Sequence, residues 1–207
     1  MQKKLAIGIP TFNRWDLLEP SLRKYTQDFP NVPIFIWDNG NQQIAYSNKC
    51  KIFTSLDNKG VAYAWNRIMD EFKDYENVLI LNDDIYLGKH EQQLLNFIDT
   101  NKYDFYESVA GWCAFILPQK TYKQIGVFDE NFYPAYCEDN DYSYRMKLAG
   151  LNKTTSPFLI PTEMRTSQTL EKNPELFYKS NYNSKQYYKK KWGGYPEEEI
   201  FTKPFNL

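Results

Sequence analysis

Cysteine and histidine are scarce in this chain of 207 residues, which has three cysteines, Cys50, Cys113 and Cys137, and one histidine, His90. The cysteines are odd in number and show no CxxC or other ligand spacing, which argues against both a disulfide framework and a zinc site and makes a reducing compartment the default. Nowhere do 18 apolar residues follow one another, so no membrane-spanning helix is expected. The start, MQKKLAIGIP, offers an apolar run too short for a secretory signal, and the expectation is a soluble, cytoplasmic protein. Neither sign of charge is in excess: 25 Lys and Arg against 26 Asp and Glu leave a net charge of -1. Such a chain has no global field to steer it to a polyanion, so nucleic acid is not implied as a partner. The glycine patterns GxxxxGK[ST] and GxGxxG are missing as well, which removes two common nucleotide-binding modes. There are no internal repeats or low-complexity linkers.

What is present is a globular composition, 42% hydrophobic and 25% charged, of a length that suits one domain, residues 1–207. Aromatic residues are plentiful, with 17 Tyr, 14 Phe and 5 Trp. Such rings serve either as stacking platforms for sugars and bases or as core and surface filler, and composition leaves both open. LAIGIP (5–10), PIFIWD (33–38), KIFTS (51–55) and NVLILN (77–82) are short apolar runs, the pattern of strands covered on both faces. Helical spacing separates them: Trp15, Leu17, Leu18, Leu22 and Tyr25 in one segment, and Val61, Ala64, Trp65, Ile68, Met69 and Phe72 in another. The segment 41–48 has room for only a short helix. Strands alternating with helices predict an α/β fold with a mostly parallel central sheet.

Beyond residue 88 the spacing predicts a helix at 90–99, a strand at 111–118, a short helix at 119–125 and a helix at 138–149 stopped by Gly150. A strand is expected within 151–160. The tail reads as a helix from Pro174 to just before Gly193 and Gly194. The halves divide near 1–88 and 89–165, with a C-terminal helical tail over 166–207.

In an open parallel sheet, ligands bind beyond the carboxyl ends of the strands. Four expected strand ends carry polar residues: Thr11-Phe12-Asn13-Arg14, Asp38-Asn39-Gly40, Asp57-Asn58-Lys59-Gly60 and Asn82-Asp83-Asp84. Each alone also reads as a turn or cap. Two adjacent carboxylates repel each other and invite a counterion. Mg²⁺ or Mn²⁺ suits such a site, because these ions take one or two protein carboxylates and complete their shell with phosphates and water. A second acidic cluster, Glu138-Asp139-Asn140-Asp141, places three carboxylates in the first turn of a helix. That is more than a cap requires, and one of them suits a general base.

Taken in order, IGIPTFNR, IWDNG, DNKGVAYAWNRIMD, LNDD, GWCAFILP and IGVFDENFYPAYCEDNDYSYRMKLAG make the chain resemble a family 2 glycosyltransferase of the GT-A fold, over about residues 4–150. The ending YYKKKWGG is similar to the tail of some small members. The resemblance implies a nucleotide-diphospho-sugar donor, with UDP-sugars favoured, and a glycan or other hydroxyl-bearing acceptor. It implies a nucleotide pocket from Pro10, Thr11, Arg14 and Asp38, with Asn58 and Gly60 approaching the nucleotide sugar. Asn82 stands where the family's DXD motif has its first Asp, Asp84 matches the second and is the implied metal ligand, and Asp83 is a second candidate. Asp139 matches the usual base of inverting members, with Glu138 as fallback. Trp112 and Asp141 are implied on the sugar and acceptor side, although Trp112 reads equally well as core.

One departure concerns the metal. Many relatives supply a further ligand, often His, beyond the acceptor helix, but His90 follows the DXD region directly. Ser167, Gln168 or water would have to substitute. The favoured reading is an inverting transfer assisted by Mn²⁺ or Mg²⁺. The alternatives are a sugar-nucleotide nucleotidyltransferase, which would need a Gly- and Arg-rich loop where PTFNR stands, and a non-catalytic module that binds a nucleotide sugar or a carbohydrate. The run Lys189-Lys190-Lys191 reads as a solvated helix end favoured by the helix dipole.

Overall fold

A computed structural model of the chain describes residues 3–42, 50–88, 91–164 and 174–207. It is a mixed α/β structure around a seven-stranded sheet. In chain order the first half comprises β1 (Leu5–Thr11), α1 (Trp15–Asp28), β2 (Ile34–Asp38), β3 (Cys50–Thr54), α2 (Val61–Glu71), β4 (Asn77–Leu81) and β5 (Ile85–Tyr86). The second half comprises α3 (Glu91–Thr100), β6 (Phe105–Ser108), β7 (Gly111–Pro118), α4 (Gln119–Ile125), α5 (Glu138–Leu148), β8 (Lys153–Thr155), β9 (Glu163–Met164) and α6 (Pro174–Trp192).

The sheet order is β3-β2-β1-β4-β7-β6-β8. β3, β2, β1 and β4 are parallel, with Thr11 level with Asp38 and Asp38 level with Thr54, so their carboxyl ends share one edge. β7 runs antiparallel to β4 and pairs Ala114 with Leu81. The reversal matters for the site, because it brings the start of β7, with Trp112 and Cys113, to the carboxyl end of β4. The Asn82 N–H donates to the Cys113 carbonyl at 2.9 Å there.

Alternation along the buried strands divides the core between the two faces of the sheet. Ile7, Ile9, Ile34, Ile36, Leu79 and Leu81 pack with Leu18, Leu22 and Tyr25 of α1 and Leu94 of α3. Ala6, Phe35, Trp37, Val78, Ile80, Phe115 and Leu117 pack with Trp65, Ile68 and Met69 of α2 and Tyr142 and Met146 of α5. A third, smaller cluster joins α6 to α5 through Phe132, Cys137, Tyr144, Tyr188 and Trp192.

Several sequence expectations need adjustment. β3 is not covered on both faces: it forms the edge of the sheet, and Phe53 is 51% exposed. The strand expected within 151–160 shrinks to Lys153–Thr155, held beside β6. β6 and the small β5–β9 pair were not expected, since they are too short to show a period in sequence. Most of the short helix weighed for 41–48 lies outside the described residues, as do His90, Ser167 and Gln168. The tail helix starts at Pro174 and ends at Trp192, as the Pro and Gly signals predict. No helix among the described residues is long and apolar enough to cross a membrane.

Candidate active site

A cleft of about 460 Å³ opens at the carboxyl edge of the parallel strands. Pro10, Thr11 and Phe12 from the end of β1 and Asn82 and Asp83 from the end of β4 form one side. Asn39, Asn58, Val61 and Trp65 line the β2 and α2 side, with Trp112 and Cys113 of β7 at the base. Pro134, Ala135 and Tyr136 from the segment before α5, Glu138 and Asp139 of its first turn, and Phe177 and Ser180 of α6 complete the lining. The cleft thus unites the polar end of β4 with the acidic first turn of α5, two segments more than 50 residues apart in sequence.

The backbone before α5 is constrained. Tyr136 (φ 80°) and Cys137 (φ 66°) are successive non-glycine residues in the left-handed region, a conformation that costs about 1–3 kcal/mol each and clusters at functional sites. Ser184 of α6 secures this segment by donating to the Ala135 carbonyl at 3.0 Å.

Burial raises the carboxylates. Asp83 is pushed up to about 7, chiefly by desolvation, with the Asp84 charge adding to the rise and the Thr11 hydroxyl, which donates to Asp83 Oδ2 at 2.7 Å, opposing it. Asp84 is raised by desolvation. Glu138 is pushed up to about 8 by desolvation and then by the Asp139 charge. Asp139 is raised by desolvation, although the Asn140 N–H bonds its Oδ1 at 2.8 Å. Two buried polar atoms of lining residues have no hydrogen-bond partner, Glu138 Oε2 and Trp65 Nε1. A ligand that supplied partners would remove a desolvation penalty of about 1–3 kcal/mol for each.

Of the residues singled out from sequence, Pro10, Thr11, Asn58, Asn82, Asp83, Trp112, Glu138 and Asp139 line the cleft. The others do not. Asp38 is fully buried, and its carboxylate accepts from the N–H groups of Gly40 and Gln42 and from Gln42 Nε2. Arg14 is buried and donates to Asp16 from Nε and Nη2 at 3.0 Å. Gly60, at φ 89°, caps α2, and a Cβ there would stand 3.0 Å from the Pro134 carbonyl oxygen, so this glycine permits the close approach of the 134 loop. Asp84 is half-buried beside Asp83 but does not line the cleft. Asp141 departs furthest from its expected place on the acceptor side. It is fully buried and bonded to Arg145, Lys191 and Trp192, because its side chain faces α6 rather than the opening. Trp112 contacts Trp65, Phe105 and Phe115 in the core and also lines the cleft.

Sequence reasoning missed Trp65, Cys113, Tyr136, Phe177 and Ser180 as lining residues. Trp65 and Cys113 read as core, and nothing in the tail sequence signals that α6 returns to this edge.

Among the described residues no group of three or more His, Cys, Asp and Glu side chains gathers to hold a metal ion. Asp83 and Asp84 nevertheless offer an oxygen-only pair, partly desolvated and adjacent. That donor set fits a hard divalent cation that draws its remaining ligands from phosphate and water.

No protein-family model matches the chain. A galactofuranosyl glycosyltransferase of Leishmania donovani is 36% identical over 63 residues, which is 30% of this chain and 14% of that protein. Among solved structures, the mannosyltransferase PcManGT of Pyrobaculum calidifontis, in complex with GDP-Man and Mn²⁺, superimposes with a TM-score of 0.63 at 15% identity, covering 81% of this chain and 59% of its own. Residues 1–349 of S. aureus TarS give a TM-score of 0.64 at 17% identity, covering 86% and 63%. The chain thus spans less than two thirds of each of these proteins. At such identities the likeness concerns architecture, and the architecture is that of the GT-A-type glycosyltransferases.

Proposed function

We propose that the chain is an inverting glycosyltransferase of the family 2 type, moving one sugar from a nucleotide-diphosphate donor to an acceptor hydroxyl. The observation that carries this reading is that one cleft is lined both by the Asp83 end of β4 and by the Glu138 and Asp139 turn of α5, on the edge of a GT-A-type sheet. Thr11, Asn39 and Asn58 hold the nucleotide at the ends of β1 and β2 and the start of α2. Asp139 accepts the proton of the acceptor hydroxyl as its oxygen bonds to the anomeric carbon, on the face opposite the diphosphate. The bond from that carbon to the diphosphate oxygen breaks, and the nucleoside diphosphate leaves with the electron pair. Asp83 and Asp84 would hold a divalent cation, Mn²⁺ or Mg²⁺, whose charge offsets that developing on the leaving group. The mannosyltransferase neighbour is solved with GDP-Man and Mn²⁺, which supports a nucleotide-sugar donor with a metal. The donor is proposed to be a UDP-sugar, the class that the family resemblance favours.

Two measurements test the proposal. A thermal-shift screen of nucleotide sugars with and without Mn²⁺ identifies the donor, since a ligand bound only to the folded state stabilises it by mass action. With that donor, Asp139→Asn lowers transfer at least about 100-fold while leaving the donor shift intact. Transfer near the parent rate in Asp139→Asn would remove the base from this residue. A donor that binds but is neither hydrolysed nor transferred by the parent would instead indicate a binding module.

A further inference from the structure

The described wall of the cleft carries three carboxylates, Asp83, Glu138 and Asp139, and no lysine, arginine or histidine. Asp83 lies at the strand end, with the donor side. Glu138 and Asp139 line the cleft from the first turn of α5, and only 6% of Glu138 is exposed while its Oε2 lacks a hydrogen-bond partner. A buried oxygen of this kind is rare in folded proteins and points to a missing polar group. On the same wall Tyr136 and Phe177 meet edge to face, with ring centroids 5.1 Å apart and planes at 82°. Both rings line the cleft, one from the strained segment before α5 and the other from the C-terminal helix.

This wall is selective by its chemistry. A phosphate or uronate would meet the acidic pair Glu138 and Asp139 with no cation on the described wall to offset its charge. An alkyl chain would pack on the rings but leave Glu138 Oε2 unsatisfied. A sugar ring meets both demands, since its C–H face packs on an aromatic surface and its hydroxyls both donate and accept hydrogen bonds. We propose that Tyr136, Glu138 and Phe177 form an acceptor subsite for an uncharged sugar, with Phe177 a specificity-determining residue supplied by the C-terminal helix. The inference rests on the glycosyltransferase reading above and names its acceptor class.

The test is initial-rate transfer from the donor found by thermal shift to matched probes: methyl hexosides, the uronosides that differ from them only at C6, and their 6-phosphates. The expected result is a kcat/KM at least about tenfold higher for the neutral member of each pair. Phe177→Ala raises the acceptor KM about tenfold, a larger change than it makes in the donor KM. Phe177→Leu, which keeps apolar volume without the ring, behaves like Phe177→Ala, and Phe177→Tyr restores the parent KM. Glu138→Gln, which retains hydrogen-bonding capacity, keeps most of the transfer, whereas Glu138→Ala loses it. The subsite is refuted, and the transferase reading kept, if the donor is turned over but charged or non-sugar acceptors are preferred, or if the Phe177 variants leave the acceptor KM unchanged. A chain that neither binds nor hydrolyses any donor refutes the transferase reading and this subsite with it.

Discussion

Lys191→Met tests how the C-terminal helix that lines the cleft is held. The Lys191 ammonium lies 2.7 Å from Asp129 Oδ2 and 2.6 Å from Asp141 Oδ1, in a residue only 6% exposed. Removing one partner of a buried ionic cluster costs about 3–5 kcal/mol, because the charges left behind stay desolvated. Here the carboxylates keep other donors. Asp141 retains Arg145 Nε at 2.9 Å and Trp192 Nε1 at 2.8 Å, and Asp129 retains the Tyr187 hydroxyl at 2.9 Å and Asn131. The cost should therefore fall at the lower end, about 3 kcal/mol. For a domain of this size that lowers Tm by about 6–12 °C. Urea unfolding followed by tryptophan fluorescence measures it, and Trp192, fully buried within the same cluster, reports the local environment. In a double-mutant cycle, Asp141→Asn with Lys191→Met should cost less than the sum of the two single changes.

Acid titration adds a second check on the same cluster. Burial, the largest influence, would raise the Asp129 carboxyl, but the hydrogen bonds from Lys191 and Asn131 and the Lys191 charge together outweigh it and hold the group below its ordinary value of 3.8. A depressed carboxyl contributes stability that is present above that ordinary value and is lost as pH falls through the lower folded one. Lys191→Met should move this acid limb to higher pH. A Lys191→Met protein within about 1 kcal/mol of the parent, with an unshifted acid limb, would refute the account of the cluster.

Glu138, raised from 4.5 to about 8, carries the opposite sign. Between those values the folded state holds a proton that the unfolded chain has released, so stability declines as pH rises through the window; thermal melts should show Glu138→Gln flattening the decline, and parallel parent and variant curves would count against it. Asp83→Asn and Asp84→Ala should each abolish nucleotide-dependent Mn²⁺ binding in calorimetry, and unaltered binding in both would place the metal elsewhere. Gly8→Ala would put a Cβ 2.1 Å from Ile68 Cγ2, a conflict between β1 and α2 worth about 1–3 kcal/mol by chemical denaturation. Ile68→Ala in the same chain should recover part of that loss, and no recovery would locate the strain elsewhere.

Local chemistry explains which features could be read without coordinates. The buried strands β1, β2 and β4 were legible because uninterrupted apolar runs bounded by turn residues have few other uses in a chain of this length. The limits of α6 were legible because Pro174 and Gly193 have fixed backbone preferences. Asp83 and Asp139 stood out because adjacent carboxylates at a strand end and in a helix's first turn exceed what a cap requires.

Position in space was another matter. Sequence could not tell Asp38, whose carboxylate is consumed by its own loop, from Asn39 beside it, which lines the cleft. Nor could it tell Asp139, which faces the opening, from Asp141 two residues on, which turns towards Lys191, because a helix rotates the two to different sides. Phe177 and Ser180 reach the cleft because α6 folds back on α5 and the segment before it, through the buried Lys191 and Trp192 contacts, the Ser184 hydrogen bond and the Phe132–Tyr188 cluster. Local patterns in the chain were enough to fix a mostly parallel sheet, the edge on which a ligand would sit and the acidic chemistry placed there. Which carboxylates line the cleft, and that the C-terminal helix completes its lining, depend instead on contacts between segments distant in the chain.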